Sequence, residues 1–315
     1  MPLPIAVLTG FLGSGKTTFL RRILTNPEFS DTAVIVNEFG EVALDHLLLA
    51  TGGETIAVLP NGCLCCAVQQ GLVNTLHDLL RQRGAGTVPP FRRMVIETSG
   101  LAEPAPILYT IASDPGLEAA LTLDGVVTTV DSVAGLATID RFGEATAQVI
   151  LADRLLLTKT DLAPPSQALL GRLTALNPGA IRTPAADATG DALFGHAHPV
   201  PPSRFWAAAA HTHGIQSFVL RLRTPMTRLE FAKALGGLAR THGDRLLRVK
   251  GLVAFADRAG GPAVIHAVQH TMYPPRWLET WPQTEQSSRL VFIVRALDPE
   301  DVLRGFSAGD PLLEY

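Results

Sequence analysis

The sequence predicts an α/β chain, a doubly wound and mostly parallel sheet followed by a second, smaller α+β domain. Three observations carry this prediction. Short β-branched runs alternate with helical patterns over the first half of the chain. The polar motifs fall at the carboxyl ends of those runs, where open parallel sheets bind their ligands. A stretch rich in Pro, Gly, Ala and His then separates this region from a second one of mixed strand and helix character. The 315 residues thus divide into a first domain at 1–183, a linker at 184–214 and a second domain at 215–315.

Pro4–Thr9 reads as a buried strand, followed by a glycine loop and a helix from Lys16. Phe19, Leu20, Ile23 and Leu24 share one face of that helix. Thr32–Val36 is a second strand, ending at Asn37-Glu-Phe-Gly40, and Thr55–Leu59 a third, closing at Pro60-Asn-Gly62. Val68, Leu72, Leu76, Leu79 and Leu80 mark an amphipathic helix. Arg93–Glu97 is a strand that runs into Thr98-Ser-Gly100, and Gly125–Val130 and Arg154–Leu157 are two more. Such runs, separated by helical stretches, require a sheet covered on both faces. Thr183–Ala210 has no period. Beyond it Phe218, Leu220 and Leu222 alternate as a strand, and Thr227–Arg240 is a helix with Thr227 or Thr224 near its start. Leu246–Phe255, Ala263–Val268 and Leu290–Val294 read as strands. Asp298–Arg304 reads as a short helix with Asp298 as N-cap and Pro299 at N1.

Composition narrows the function classes. Hydrophobic residues make up 47% and charged residues 17%, below the ~25% charged share of a typical soluble domain, so apolar material for two cores is ample. The net charge of −3 provides no basic footprint for nucleic acid. No apolar run reaches the ~18 residues that span a bilayer. Met1-Pro-Leu-Pro4 leads straight into the first strand without the basic start of a secretory signal, which predicts a cytoplasmic location. The high Ala and Leu content with low charge points to a buried interface such as a homodimer's. Only four of the 26 basic residues are lysine (Lys16, Lys159, Lys233 and Lys250), and two of these fall in the motifs below.

Residues 10–17 read Gly-Phe-Leu-Gly-Ser-Gly-Lys-Thr, the G-x-x-x-x-G-K-[ST] phosphate loop, placed between a strand and a helix. Gly10, Gly13 and Gly15 let backbone N–H groups, with that of Ser14 among them, curl around a β-phosphate. Lys16 reaches the β- and γ-phosphates, the Thr17 hydroxyl ligates Mg²⁺, and Thr18 continues the helix whose dipole faces the anion. The first domain is thereby predicted to be a P-loop NTPase. Downstream, Thr158-Lys-Thr-Asp161 follows a strand. The Asp161 carboxylate accepts from guanine's ring N–H and exocyclic amine, a donor pair that adenine lacks, and the Lys159 stem lies along the base. Together these predict GTP. Glu97-Thr-Ser-Gly100 ends another strand; the Glu97 carboxylate suits the Mg²⁺ shell or the attacking water, and the Gly100 N–H suits the γ-phosphate. A helix N-cap at Thr98 or Ser99 is the structural alternative there.

The chain's 3 cysteines, Cys63, Cys65 and Cys66, lie in Asn61-Gly-Cys-Leu-Cys-Cys66. An odd, tight cluster is a poor disulfide framework and a good soft-metal site. A fourth ligand comes from the loop after the second strand, with Glu38, Glu41, Asp45 and His46 as candidates. His196, His198, His211 and His213 in the linker read as solvated loop before ligands. His266 and His270 read as structural, and Trp206, Trp277 and Trp281 as packing anchors.

These motifs together resemble the CobW-type metal-chaperone GTPases, relatives of the urease and hydrogenase nickel-insertion GTPases. The resemblance is carried by Thr9-Gly-Phe-Leu-Gly-Ser-Gly-Lys-Thr-Thr18, Val36-Asn-Glu-Phe-Gly40, Cys63-Leu-Cys-Cys66 and Glu97-Thr-Ser-Gly-Leu101. Arg248-Val-Lys-Gly251 and Ser288-Arg-Leu-Val-Phe292 look like that family's second domain. The resemblance implies Mg²⁺-dependent GTP hydrolysis coupled to delivery of Zn²⁺, or Co²⁺ or another transition metal, to a client metalloprotein. It implies Cys65, Cys66 and Glu38 as metal contacts, and Lys16, Thr17 and Glu97 around Mg²⁺ and phosphate. Two departures matter. Thr158 stands where the family's base-reading motif has Asn, which bears on guanine affinity, and long histidine runs are missing, which speaks against metal storage. Two rival functions are a metal-responsive, partner-docking switch with negligible turnover and an ATP-dependent small-molecule kinase, which leaves the cysteines without a role.

Overall fold

The apolar runs of the first half become the inner strands of a parallel sheet because helices cover both of its faces. The computed structural model describes residues 2–37, 56–58, 65–194, 214–281 and 287–314, and for 37, 56–58 and 65–70 the backbone course alone. The chain divides into two compact units, Met1–Leu169 with Ala180–His196, and Leu170–Gly179 with Ala197–Tyr315.

The elements of the first half are β1 (Leu3–Gly10), α1 (Lys16–Leu24), β2 (Thr32–Asn37), β3 (Ile56–Val58), α2 (Cys65–Ala85), β4 (Arg93–Thr98), α3 (Pro104–Ser113), α4 (Pro115–Ala120), β5 (Leu121–Asp131), α5 (Gly135–Arg141), α6 (Gly143–Leu151), β6 (Arg154–Thr158), α7 (Gln167–Leu176) and β7 (Ile181–Pro184). The strands form one sheet in the order β3-β2-β4-β1-β5-β6-β7, with every pair parallel. In β1 every residue from Ile5 to Gly10 is buried, as a strand sandwiched between helix layers must be. One face meets Phe19, Leu20, Ile23 and Leu24 of α1, the side chains whose spacing predicted that face. Five helices, α3 to α7, were not assigned from sequence, because none is longer than 10 residues and so none sustains a long helical period.

The proposed linker needs one correction. Its first residues, 184–194, are not peripheral: β7 extends the sheet, and Ala188, Ala192 and Leu193 are buried in the same core as α1. Arg22 on α1 donates to the carbonyls of Ala185, Ala186 and Ala188, tying this stretch down. A Cβ on Gly190 would lie 1.7 Å from the Phe29 ring, so the chain passes flat against that side chain. Small residues pack without a hydrophobic period, which is why the segment looked unstructured. Residues 195–213 lie outside the described residues.

The second half comprises β8 (Ile215–Leu222), α8 (Arg228–His242), β9 (Leu246–Val253), β10 (Ala263–Val268), β11 (Thr271–Met272), β12 (Arg276–Trp277), β13 (Ser288–Arg295), α9 (Pro299–Gly305) and β14 (Pro311–Glu314). The sheet order is β11-β10-β9-β13-β8-β14, with β12 on β10, and all pairs are antiparallel. Phe218, Leu220 and Leu222 face one core with Leu290, Phe292 and Val294 beneath α8. A capping box starts α8: the Thr227 hydroxyl accepts from the Glu230 N–H while Glu230 accepts from the Thr227 N–H. Asp298 caps α9 as expected, accepting from the Glu300 N–H. The Arg-Val-Lys-Gly and Ser-Arg-Leu-Val-Phe motifs turn out to be neighbours. Gly251 of β9 pairs with Leu290 of β13, and a Cβ at Gly251 would stand 2.0 Å from the Arg289 carbonyl oxygen. The Ser288 hydroxyl accepts from the Ala254 N–H. His270 bridges the Ala239 carbonyl and Asp244, and Trp277 packs against the second core, as expected of a structural histidine and an anchor.

Candidate functional site

The carboxyl ends of β4, β1, β5 and β6 lie side by side, and each delivers one part of the site. After β1 the chain turns through three left-handed glycines, with φ of +140° at Gly10, +69° at Gly13 and +92° at Gly15. This geometry points successive N–H groups into one concavity. At Gly10 nothing larger fits, since a Cβ there would sit 2.3 Å from the Thr129 hydroxyl. The Lys16 ammonium donates to the carbonyls of Gly10 at 2.9 Å and Phe11 at 3.3 Å, so it is already held over the loop. The Phe11 ring stacks on Phe142 with centroids 4.6 Å apart, bracing the crown of the loop from outside. Ser14 is buried and Thr18 exposed.

The Thr17 hydroxyl donates to Glu97 Oε1 at 2.6 Å. Two hard oxygens at that spacing suit adjacent positions around an octahedral Mg²⁺, which lie ~3 Å apart when the metal–oxygen bonds are ~2.1 Å. Gly100 needs its missing side chain for closeness, because a Cβ would lie 2.6 Å from the Leu12 nitrogen. Buried Gln148 on α6 donates to the carbonyls of Gly100 at 3.1 Å and Ala102 at 3.0 Å, holding this segment against the phosphate loop. The N-cap alternative for Thr98 or Ser99 does not hold, since α3 begins at Pro104 with Glu103 in the cap position.

At the end of β6, Lys159 takes a left-handed φ of +56°, and its ammonium donates to Asp131 Oδ2 at 2.6 Å. Asp131 ends β5 and accepts the N–H groups of Val133 and Ala134 on its other oxygen. Burial pushes the Asp131 pKa up, but the Lys159 ammonium and the Ala134 and Val133 N–H groups outweigh it and hold the carboxyl below the usual carboxylate range. Asp161 is exposed at the same turn. The Thr158 hydroxyl donates to the Ser14 carbonyl at 2.7 Å and reaches the Val130 carbonyl at 3.2 Å.

Comparison with known proteins decides the family. The model of the CobW/HypB/UreG nucleotide-binding domain matches residues 4–182. The chain belongs to the CobW/HypB/UreG family. The model of the CobW C-terminal domain matches residues 215–309 as well. Zinc chaperone YjiA of Escherichia coli is 36% identical, covering 98% of this chain and 98% of its own. The zinc-regulated GTPase metalloprotein activator 1 of Schizosaccharomyces pombe is 38% identical over 51% of this chain and 40% of its own. Among solved structures, Zn(II)-bound YjiA GTPase from E. coli superposes with a TM-score of 0.74 at 31% identity, covering 98% of this chain and 99% of that one.

Within this CobW-type frame, the cysteine segment enters on the same rim. Val58, Val36, Glu97 and Leu8 share one register row across β3, β2, β4 and β1. Three inter-strand steps of ~4.8 Å put the end of β3 about 14 Å from β1. Because β3 and β4 are parallel, α2 must run from the carboxyl rim back to the amino rim, so Cys65 and Cys66 occupy its first turn on the nucleotide side. Glu38, Cys63, the other loop candidates Glu41, Asp45 and His46, the four linker histidines and Trp206 lie outside the described residues. Among the described residues no group of three or more His, Cys, Asp and Glu is arranged to share a metal, and no helix is long and apolar enough to cross a membrane.

Sequence reasoning passed over Asp131, Gln148 and Thr129. An acidic residue at the carboxyl end of a parallel strand was a usable signal for Asp131. Gln148 carries none, since its partners are a helix and a loop distant in sequence.

Proposed function

We propose that this chain is a GTP-hydrolysing metallochaperone that takes Zn²⁺, or a chemically similar ion such as Co²⁺, at Cys63, Cys65 and Cys66 with Glu38, and hands it to a client metalloprotein. It would act in the cytoplasm, where thiols stay reduced. The names of YjiA and the yeast activator support both halves of this reading. The observation that carries it is the register row above: the strand that leads into the cysteines ends level with Glu97 and three strands from the phosphate loop. A change of nucleotide and a change of metal then act on adjoining loops of one rim.

The residues have distinct tasks. The left-handed glycine turn and Lys16 bind and orient the triphosphate, and Asp161 with the Lys159 stem reads the base. Thr17 and Glu97 would hold Mg²⁺, which when bound neutralises charge shared by the β- and γ-phosphates. Gln148 keeps Gly100 against the loop, where its N–H faces the γ-phosphate. Cys65 and Cys66, in the first turn of α2, would supply the sulfur ligands that a soft metal needs.

Single-turnover hydrolysis with GTP and ATP in parallel, each with and without Zn²⁺, tests the reading. The expected result is GTP turnover in preference to ATP, with a rate that responds to the metal. GTP binding with a slow, metal-insensitive rate would instead favour a metal-responsive switch that works by docking a partner, and preference for ATP would favour a kinase.

A further inference from the structure

Four neighbouring strands of the first sheet, β4, β1, β5 and β6, each carry a buried threonine near the carboxyl end. They are Thr98, Thr9, Thr129 and Thr158, and with Ser14 of the phosphate loop all are at most 7% exposed. Valine would fill the same volume and favours strands at least as well. A hydroxyl in such a place is costly unless it is bonded.

All five are bonded, and to one another's residues. Thr98 Oγ1 donates to Thr9 Oγ1 at 2.8 Å, and Thr129 Oγ1 donates to the Thr9 carbonyl at 3.3 Å. Ser14 Oγ and Thr129 Oγ1 are 2.7 Å apart. Thr158 Oγ1 donates to the Ser14 carbonyl at 2.7 Å. Each hydroxyl has a single hydrogen to give. Either hydroxyl can donate across the Ser14–Thr129 contact. The bonds tie the four strand ends to the phosphate loop, and two of them end on Thr9, the residue before the glycine turn. The two ends of this chain of bonds adjoin Glu97 and Lys159, the carboxylate beside Thr17 and the lysine beside the base. The Thr158 methyl also abuts the turn, since a Cβ on Gly15 would lie 3.4 Å from it.

We infer that this hydroxyl belt is a positioning device, in which Thr158 and Thr129 act through Ser14 to hold the base-reading turn, the phosphate loop and the Glu97 strand in one register. The inference rests on the nucleotide hydrolysis proposed above. It also gives Thr158 a task that does not require an amide, because its contact is with the loop.

The test uses Thr129→Val and Thr158→Val, which keep shape and lose the hydroxyl, beside Thr129→Ser and Thr158→Ser, which keep the hydroxyl. Each full-length variant is measured for melting temperature, affinity for non-hydrolysable GTP and ATP analogues, and single-turnover GTP hydrolysis. In both valine variants the single-turnover rate is expected to fall about tenfold or more, with GTP-analogue affinity moving less. Thr158→Val should also lose about fivefold of its preference for GTP over ATP, and the serine variants should stay within about threefold of the parent. The double valine variant should lose little more than either single one, as members of one device do. Valine and serine variants that behave alike, or losses that simply track melting temperature, overturn the belt. Should one valine variant fail to fold, the comparison at the other position decides. A parent protein that binds neither nucleotide removes the functional reading itself, whereas an active parent with unaffected valine variants removes only this inference.

Discussion

The Lys159 ammonium and the Asp131 carboxylate meet at 2.6 Å, with the lysine side chain 38% and the aspartate side chain 13% exposed. The pair fixes the end of the lysine side chain, and Asp131 is held from behind by two N–H groups; on the proposed function this stem lies along the base. Asp131→Asn keeps an oxygen for those N–H groups and loses the charge. GTP affinity is expected to fall about three- to tenfold, in line with a partly screened, charge-assisted hydrogen bond. The pH sign follows from the depressed carboxyl. A lowered folded-state pKa contributes stability that is present above the unfolded value of ~3.9 and is lost as pH falls through the folded value. The ratio of parent to Asp131→Asn affinities should therefore be constant from about pH 5 to 8. A ratio that collapses within that range would show that another group titrates there. At this scale the phosphate loop was legible because its chemistry is written in contiguous residues, Gly10 to Thr17. Asp131, Thr129 and Gln148 were not, because each acts on a partner brought close only by strand order or helix packing.

Elements explain why Gly100 admits no side chain. The segment leaving β4 passes so near the phosphate loop that an added methyl meets Leu12 backbone at 2.6 Å. Backbone cannot rotate away as a flexible side chain can, so the two loops must part by several tenths of an ångström. Gly100→Ala should lower GTP hydrolysis about a hundredfold while the fold persists, because sub-ångström misplacement of a reacting group is costly. Stopped-flow or rapid-quench turnover, with a far-UV spectrum as the control for folding, checks this; near-normal turnover would mean that the approach is not needed for chemistry. Long amphipathic patterns such as α1, α2 and α8 were readable from their apolar spacing. β7 was not, with its Ile181, Arg182 and Pro184 exposed, and neither was β14, a short edge strand. Buried alanines between 185 and 193 left no period to detect.

On the scale of the whole molecule, one rim of one sheet carries both the triphosphate turn and the strand that leads to the cysteines. If metal at the cysteines and GTP at the turn each favour one arrangement of the intervening loops, their affinities must be linked reciprocally. The order β3-β2-β4-β1 makes the linkage short, since only β2 separates the cysteine-bearing segment's strand from the strand of Glu97. The sequence showed the motifs in chain order but not which strands adjoin, so this adjacency was available only from the sheet. The most direct test is an anaerobic titration of the full chain with Zn²⁺ and with Co²⁺, run with a non-hydrolysable GTP analogue, with GDP and without nucleotide. The account predicts that metal affinity differs between nucleotide states by at least about fivefold, and that Cys66→Ala loses the metal while its GTP affinity stays within about threefold of the parent. Equal metal affinities in all three states, or loss of GTP binding in Cys66→Ala, would contradict it.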